Sequence, residues 1–270
     1  MTRSLPLTKA LTIATTDSSG GAGINADLKT FAALGVYGLS VICSVTAQNT
    51  RGVMAVENLS QETVKAQMAA VWADIPPQAI KIGLIGSAAL AEVVSDFLRE
   101  KTLNTPIVLD PVLVSASGHV FLNPKDVAGL KDLFPLATLL TPNAQEAAAL
   151  TGLTLNDPDF VARAGEKLLE FGPRHVLIKG GHLAESSCDD YLFSEKERIV
   201  LNGSRLNTKN DHGAGCTLSS AIAAYLAQGQ DLIEAARLAK KYVANGFFDE
   251  PKLGHGPGPL NHFHAYYAWT

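Results

Sequence analysis

Short apolar segments recur along this chain, and each one ends at a glycine, a proline or a polar residue. Segments of this kind are typical of strands that are buried on both faces. The segments that fit this description are residues 10–14, 39–45, 79–82, 107–109, 139–140 and 176–178. Between about residues 188 and 201 the pattern changes to short segments in which apolar and polar residues alternate, which predicts an antiparallel hairpin.

Between these strands, apolar residues recur at the spacing of amphipathic helices. Gly35 ends the first helix, whose apolar stripe consists of Ile24, Leu28, Phe31 and Ala32. Ser60 can cap a second helix, whose stripe consists of Val64, Met68, Val71 and Trp72. Ser87 begins a third helix, and two more are predicted at 215–228 and 231–247. This alternation predicts an α/β protein with a mostly parallel central sheet that helices cover on both faces.

Length and composition favour one soluble domain that spans residues 1–270. Of the 270 residues 47% are hydrophobic and 18% are charged, and the net charge is −4. Because no basic cluster is present, we expect no nucleic-acid partner. Because no apolar stretch reaches about 18 residues and no signal segment is evident, we expect no membrane partner. Three cysteines without CxxC spacing suit a reducing compartment, so a cytoplasmic protein with a small-molecule ligand is expected.

The loop at residues 17–23 follows the first strand and contains three glycines. Ligands of parallel α/β sheets bind beyond the carboxyl ends of the strands, where small residues allow the backbone to approach them. The loop also leads into a helix, whose free N–H groups favour anions. It is neither a Walker A loop nor a GxGxxG motif, and helix packing explains it equally well.

A second glycine-rich segment, residues 210–217, leads into a helix that is rich in Ala and Leu. Within it, Gly213, Ala214 and Gly215 predict a nest of backbone donors suited to an anion such as a transferring phosphoryl group. Cys216 falls in the first helical turn, where we expect the pKa of its thiol to lie below the free value of about 8.5. A small buried hydrophobe is the alternative interpretation, but the adjacent nest favours a functional cysteine.

Charged residues follow three of the predicted strands. Asp110 closes one strand, and Glu146 follows the next; their oxygens could hold Mg²⁺. Glu146 also stands three positions after Asn143, so the pair can form a capping box. Lys179 precedes two glycines and His182, and it can direct its ammonium at phosphate oxygens. A solvated lysine in an ordinary turn is the alternative. Histidines at 255, 262 and 264 are interpreted as part of an aromatic tail rather than a metal site.

Taken together and in this order, these segments resemble the hydroxymethylpyrimidine/phosphomethylpyrimidine kinases of thiamine biosynthesis, in the ribokinase-like superfamily. The resemblance runs from about residue 10 to about residue 265, nearly the whole chain. It is carried by DSSGGAGI at 17–24, ADLKTF at 26–31, TAQNTRGV at 46–53, KIG at 81–83, LDPV at 109–112, LTPN at 140–143 with Glu146, KGGH at 179–182, NTKNDHG at 207–213 and CTLS at 216–219.

The resemblance implies a ribokinase-like three-layer α/β/α fold, with ATP and Mg²⁺ as cofactors. It implies phosphorylation of 4-amino-5-hydroxymethyl-2-methylpyrimidine and then of its monophosphate, and it suggests a homodimer. Asp110 and Glu146 would position Mg²⁺. Gln48 would bind the aminopyrimidine edge, since an amide offers both a donor and an acceptor. The other expected substrate-binding residues are Asp27, Thr15 and Gly83.

The resemblance also assigns the phosphate site and the catalytic group. The residues expected to bind ATP and its phosphates are Lys179, Thr208, His212, Gly213 and Gly215. A second phosphorylation needs extra positive charge, which Lys179, Lys209, His212 and helix N-termini could provide. Cys216 stands where ribokinase relatives carry a catalytic Asp, so it would accept the proton of the substrate hydroxyl. The other expected catalytic residues are Lys179 and the nest residues Gly213, Ala214 and Gly215.

Two departures from the family pattern leave alternatives open. Thr15 replaces a glycine that usually precedes this loop and could narrow the pocket, while Ala214 replaces a threonine and keeps the backbone donors. A pyridoxal or pyridoxine kinase on the same scaffold is therefore the nearest alternative. A non-catalytic nucleotide-binding protein is disfavoured because the charged positions are retained. A sugar kinase is disfavoured because Cys216 stands where those enzymes carry Asp.

Overall fold

The computed structural model describes residues 7–101, 104–113, 123–181, 188–206, 208, 210–248 and 251–267. Within these residues, nine strands form one sheet in the order β3-β2-β1-β4-β5-β6-β7-β8-β9. The strands are β1 (Lys9–Thr15), β2 (Tyr37–Asn49), β3 (Gly52–Asn58), β4 (Ala79–Ile82), β5 (Ile107–Leu109), β6 (Leu139–Leu140), β7 (Val176–Ile178), β8 (Asp190–Phe193) and β9 (Arg198–Leu201).

The centre of the sheet is parallel and its two edges are not. β1, β2, β4, β5, β6 and β7 pair in parallel, whereas β3 pairs antiparallel with β2, and β8 pairs antiparallel with both β7 and β9. The carboxyl ends of the parallel strands therefore lie along one edge. The register between β1 and β2 shifts between Ala14 and Thr15, where the chain leaves the sheet for the glycine-rich loop. The predicted mostly parallel sheet is confirmed.

The helices of the described residues begin and end at recognisable signals. They are α1 (Gly23–Ala33), α2 (Gln61–Asp74), α3 (Ala88–Lys101), α4 (Pro124–Leu130), α5 (Ala144–Thr151), α6 (Phe160–Leu169), α7 (Ala214–Ala227) and α8 (Leu232–Gly246), with a 3-10 helix at Lys131–Leu136. The side chains of Ser60 and Asp231 accept backbone hydrogen bonds at the starts of α2 and α8. Gly152, with φ of 73°, ends α5 in the left-handed conformation.

Two apolar layers hold the helices against the sheet. Helices α1, α7 and α8 pack on one face around Phe31 and Ile222, and helices α2 to α6 pack on the other around Met68 and Phe134. β1 is buried on both faces, which explains its mostly apolar sequence. None of the helices in this part of the chain has the length and apolarity that crossing a bilayer requires.

Strand β3, helices α4 and α6 and the 3-10 helix were not predicted. β3 is mostly exposed, with Met54 68% accessible, so its sequence lacks the pattern of a buried strand. It is held instead by its pairing with β2, a tertiary contact that single-strand periodicity does not reveal.

Candidate active site

The carboxyl edge of the sheet borders a cavity of about 1040 Å³, large enough for small-molecule ligands. Its walls come from segments that are distant in sequence, because parallel strands end at the same edge. The predicted site residues that line it are Thr15, Gln48, Asp110, Glu146, Lys179, Thr208, His212, Gly213, Ala214, Gly215 and Cys216. His182 and Lys209 lie outside the described residues. The fold thus brings most of the predicted residues together, while their individual roles stay predictions.

Asp110 and Lys179 form an ion pair at the end of β5 and β7. The Nζ atom of Lys179 donates to Oδ1 of Asp110 at 2.7 Å, and the Thr141 hydroxyl donates to the same oxygen at 3.1 Å. Burial opposes the charge of Lys179, but the carboxylates of Asp110 and Glu146 outweigh it and raise the pKa of the ammonium. Lys179 therefore stays protonated at the edge of the cavity. The ammonium hydrogens that it does not donate to Asp110 can face an anion.

Glu146 lies beside this pair and also begins a helix. Its backbone N–H donates to Oδ1 of Asn143, and its Oε2 accepts the N–H of Asn143, each at 2.8 Å, so the capping box is present. Burial raises the pKa of Glu146 to about 7; Lys179 opposes this shift and Asp110 adds to it. A neighbouring positive charge stabilises the ionised form of a carboxyl in such surroundings.

The glycine nest opens onto the same ion pair. Gly213 has φ of +79°, and a side chain there would meet the Gly21 carbonyl oxygen at 1.8 Å. A Cβ atom at Gly215 would lie 3.1 Å from Nζ of Lys179 and 3.7 Å from Oδ2 of Asp110. The N–H of Ala214, the first residue of α7, donates to the Asp211 carbonyl at 3.0 Å. The positive end of this helix lies beside Lys179 at Gly215. This arrangement suits an anionic group held between backbone and ammonium.

Cys216 lies in the first turn of α7 and is half-buried. The prediction that its pKa falls below the free value is wrong, because burial raises the pKa of the thiol to about 11. Lys81 opposes this shift, but the carboxylates of Asp27 and Asp110 add to it. The helix terminus does not outweigh the lost hydration, so Cys216 is a protonated thiol near neutral pH.

Thr15 and Gln48 line the wall that β1 and β2 provide. The hydroxyl of Thr15 donates to the Leu84 carbonyl at 2.8 Å, and its side chain is almost fully buried. The backbone of Gln48 is anchored by Ser18, whose hydroxyl accepts its N–H at 2.8 Å and donates to its carbonyl at 2.7 Å. The amide of Gln48 is thereby held at the rim of the cavity.

Asp27 and Gly83 do not line the cavity, contrary to prediction. Asp27 is fully buried beneath it and accepts hydrogen bonds from Lys81, Thr12 and Ser220. Gly83 leaves room for the lysine, since a Cβ atom there would come within 2.7 Å of Nζ of Lys81. Both residues belong to a buried polar cluster that supports the cavity from below.

Sequence reasoning missed the contact between Asp17 and His212, whose Oδ2 and Nε2 atoms are 2.7 Å apart. The only signal was that each residue borders a glycine-rich segment.

In the C-terminal segment the ring of His264 packs against that of Tyr242 with centroids 5.0 Å apart. Nε2 of His262 lies 3.1 Å from the Thr217 hydroxyl, and burial lowers the pKa of His262 to about 4. Among the described residues, no cluster of three His, Cys, Asp or Glu side chains could hold a metal ion.

A parallel sheet whose carboxyl edge joins a glycine nest, a lysine and two acidic side chains defines a small-molecule kinase of the ribokinase-like fold. The profile of the phosphomethylpyrimidine kinase family matches residues 17–261. The chain is 48% identical over 262 residues to a hydroxymethylpyrimidine/phosphomethylpyrimidine kinase of Rhizobium meliloti, covering 96% of this chain and 98% of that one. A relative of the same name from Haemophilus influenzae is 42% identical, with 94% and 96% covered. The chain belongs to the phosphomethylpyrimidine kinase family and is a phosphotransferase.

Solved structures of two kinases share this fold. A phosphomethylpyrimidine kinase from Clostridium difficile 630 has a TM-score of 0.79 and 44% identity, covering 89% of this chain and 99% of that one. An ADP complex of Bacillus subtilis pyridoxal kinase has a TM-score of 0.89 and 34% identity, covering 96% and 99%. The predicted ribokinase-like fold is confirmed.

Proposed function

We propose that this kinase transfers a phosphoryl group from ATP to 4-amino-5-hydroxymethyl-2-methylpyrimidine and then to the monophosphate, as in thiamine biosynthesis. The observation that carries the proposal is that one cavity is lined by the amide of Gln48, the thiol of Cys216 and the nest at 213–215. The amide matches the donor and acceptor edge of an aminopyrimidine. The nest and Lys179 match the charge of a transferring phosphoryl group.

ATP is the proposed phosphoryl donor, and the same cavity offers it room beyond the nest. Apolar and backbone groups that could enclose a base come from β9, the segment after it, α8 and the residue that follows α8. They are Leu201, Gly203, Leu206, Val243 and Phe247. Relatives solved with ADP and with AMP-PCP support a nucleotide there, since they share this fold at 32–34% identity. The phosphates would then point towards Lys179 and the start of α7.

Mg²⁺ is the proposed metal cofactor, and the donor set fits it. Asp110 and Glu146 supply the carboxylate oxygens that this cation prefers. Burial raises the pKa of Glu146 to about 7, so a cation beside it would stabilise its ionised form. When bound, Mg²⁺ would neutralise phosphate charge. Asp110 would remain oriented by Thr141 and Lys179, and Glu146 by its capping box.

The proposed proton acceptor is Cys216. Phosphoryl transfer through a loose transition state depends on positioning and charge neutralisation more than on a strong base. A thiol with a pKa of about 11 is protonated near neutral pH, so it would act as a base only after losing its own proton. The thiolate would then take the hydroxyl proton late, as the P–O bond forms. Lys179 and the backbone N–H groups of the nest would stabilise the equatorial oxygens during that step.

Vitamin B6 alcohols are the second candidate substrates. Pyridoxal kinases from Bacillus subtilis and Staphylococcus aureus share the fold with TM-scores of 0.89 and 0.87. Thr15, in place of a small glycine, is the residue of this chain that bears on the choice, because it lines the cavity beside Gln48. The higher identity of the named pyrimidine kinases favours the pyrimidine.

The deciding experiment measures ADP release with Mg-ATP and four acceptors in parallel: the hydroxymethylpyrimidine, its monophosphate, pyridoxal and pyridoxine. We expect turnover of both pyrimidines at higher kcat/KM than of either B6 compound. The Cys216→Ala variant is the control for contaminating kinases. Preference for pyridoxal or pyridoxine would refute the substrate assignment and leave the phosphotransferase assignment standing.

The homodimer also stays a prediction. Light scattering on a gel-filtration column measures it, and a mass of one chain would contradict it.

A further inference from the structure

Asp17 and His212 join the two glycine-rich segments of the active site, although 195 positions separate them in sequence. The imidazole Nε2 lies 2.7 Å from the carboxylate, and the two side chains are only 10% and 2% exposed. The side-chain nitrogen Nε2 of Gln48 lies 3.5 Å from Nε2 of His212. The contact is therefore buried at the junction of the proposed acceptor pocket and the phosphoryl site.

The backbone around this contact is shaped to permit it. A Cβ atom at Gly21 would meet the His212 ring at 2.5 Å, and one at Gly213 would meet the Gly21 carbonyl oxygen at 1.8 Å. The backbone N–H of His212 donates to the Gly258 carbonyl at 3.2 Å, which holds the residue from the other side. His212 is thus fixed at both its side chain and its backbone, one position before the nest begins.

Asp17 is equally well fixed. Its carboxylate accepts hydrogen bonds from the backbone N–H groups of Ser19, Gly21 and Ala22, at 2.8, 3.2 and 2.8 Å. Burial opposes the charge, but hydrogen bonds from His212 and Ser19 outweigh it and lower the pKa of Asp17. The carboxylate therefore forms a rigid, charged anchor within the loop at 17–23.

We propose that His212 is a positioning residue that locks the nest at 213–215 against the loop at 17–23 through Asp17, and is not a phosphate ligand. This inference rests on the phosphoryl transfer proposed above. A fixed nest places its N–H donors where charge develops, which affects the transition state more than the bound nucleotide. Displacing such donors by about 1 Å costs on the order of 10²-fold in rate.

Three substitutions separate the two roles. His212→Gln provides a neutral side-chain donor that can reach Asp17, His212→Lys provides a positive charge without the ring, and His212→Leu provides neither. For His212→Leu we expect kcat to fall on the order of 10²-fold, with the KM for ATP nearly unchanged. His212→Gln should recover most of that loss and His212→Lys should not. Recovery by lysine alone, or a matching rise in the KM for ATP, would show a phosphate ligand and overturn the proposal.

A binding measurement tests the proposal without any alcohol. Calorimetry compares the affinity of each variant for ADP alone and for ADP with aluminium fluoride, a mimic of the transferring phosphoryl group, in Mg²⁺ buffer. We expect His212→Leu to weaken the second and leave the first unchanged. Equal weakening of both would contradict the positioning role. Because no acceptor alcohol is present, this result can be interpreted even if the substrate assignment is wrong.

Asp17→Asn gives an independent check in case His212→Leu unfolds the chain. If the pair acts as one unit, Asp17→Asn combined with His212→Leu loses no more kcat than the more damaging single variant. Losses that multiply would mean that the two residues act separately, and the proposal would fail. Melting temperatures of all variants identify any that are not folded.

Discussion

The ammonium of Lys81 lies 2.8 Å from the carboxylate of Asp27, and neither side chain is exposed to solvent. Thr12 and Ser220 donate to the same carboxylate at 2.6 Å each. The cluster thereby joins β1, β4, α1 and α7 directly beneath the active-site cavity. Breaking a buried pair of this kind is costly, because removal of one partner leaves the other charge buried and unpaired.

Lys81→Met should therefore destabilise the protein by about 3–5 kcal/mol, measured by urea unfolding. The double variant Lys81→Met, Asp27→Leu should recover much of this loss, since no charge is then left alone. Equal stability of the single and double variants would show that packing of the lysine stem, rather than charge pairing, dominates.

Cys216→Ala should lower kcat by at least about 10²-fold and leave ATP affinity nearly unchanged, because the thiol is proposed to act in the transfer step. Steady-state turnover and calorimetric titration with ATP measure the two quantities. Cys188→Ala, which removes another thiol of the cavity wall, is the matched control and should retain activity. Turnover of the Cys216 variant within a few-fold of wild type would make this cysteine structural.

Gln48→Ala should raise the KM for the pyrimidine on the order of 10-fold and change the KM for ATP much less, since the lost hydrogen bonds belong to the acceptor. Asn49→Ala, at the exposed neighbouring position, should leave both values alone. If the pyrimidine KM does not move, Gln48 is not a substrate ligand.

Thr15→Gly should lower the KM for the pyrimidine by roughly 10-fold, because the removed side chain lets the ring approach the backbone. It should also cost about 1–2 kcal/mol of stability, since the hydrogen bond to the Leu84 carbonyl is lost and glycine weakens the strand. Thr15→Ser keeps the hydroxyl and is the stability control. If the preference among the two pyrimidines, pyridoxal and pyridoxine does not change, Thr15 does not determine substrate specificity.

Glu146 should make stability fall as pH rises. Its pKa in the folded chain, about 7, exceeds the ordinary value of 4.5, so the folded state holds the proton more tightly. The resulting stabilisation is fully present below about pH 4.5 and is lost as pH rises through 7. Melting temperatures in a metal chelator should show this trend in wild type and less of it in Glu146→Gln, which keeps the helix cap. Identical pH profiles for the two would contradict it.

Most of the sheet could be predicted from the sequence, because the hydrophobic pattern of each central strand matches its burial in the folded protein. Strands such as β1 and β4 are mostly apolar because both of their faces are buried. Two of their polar residues, Thr12 and Lys81, pair with Asp27 in the buried cluster. The residues after those strands were recognisable for the same reason: a charge such as Asp110 at the end of a buried strand needs a role. Edge strand β3 lacked this signal, since its residues are mostly exposed.

Local pattern and motif order thus predicted the fold and the family, which are confirmed, and the residues of the proposed phosphoryl site. The tertiary structure alone decided that Asp27 pairs with Lys81 below the cavity, that Gly83 makes room for that lysine, and that Asp17 meets His212. It also decided the pKa of Cys216, which burial raises. The physical reason is shared by all four: burial and electrostatic pairing depend on which distant segments come together, and sequence spacing carries no information about those distances.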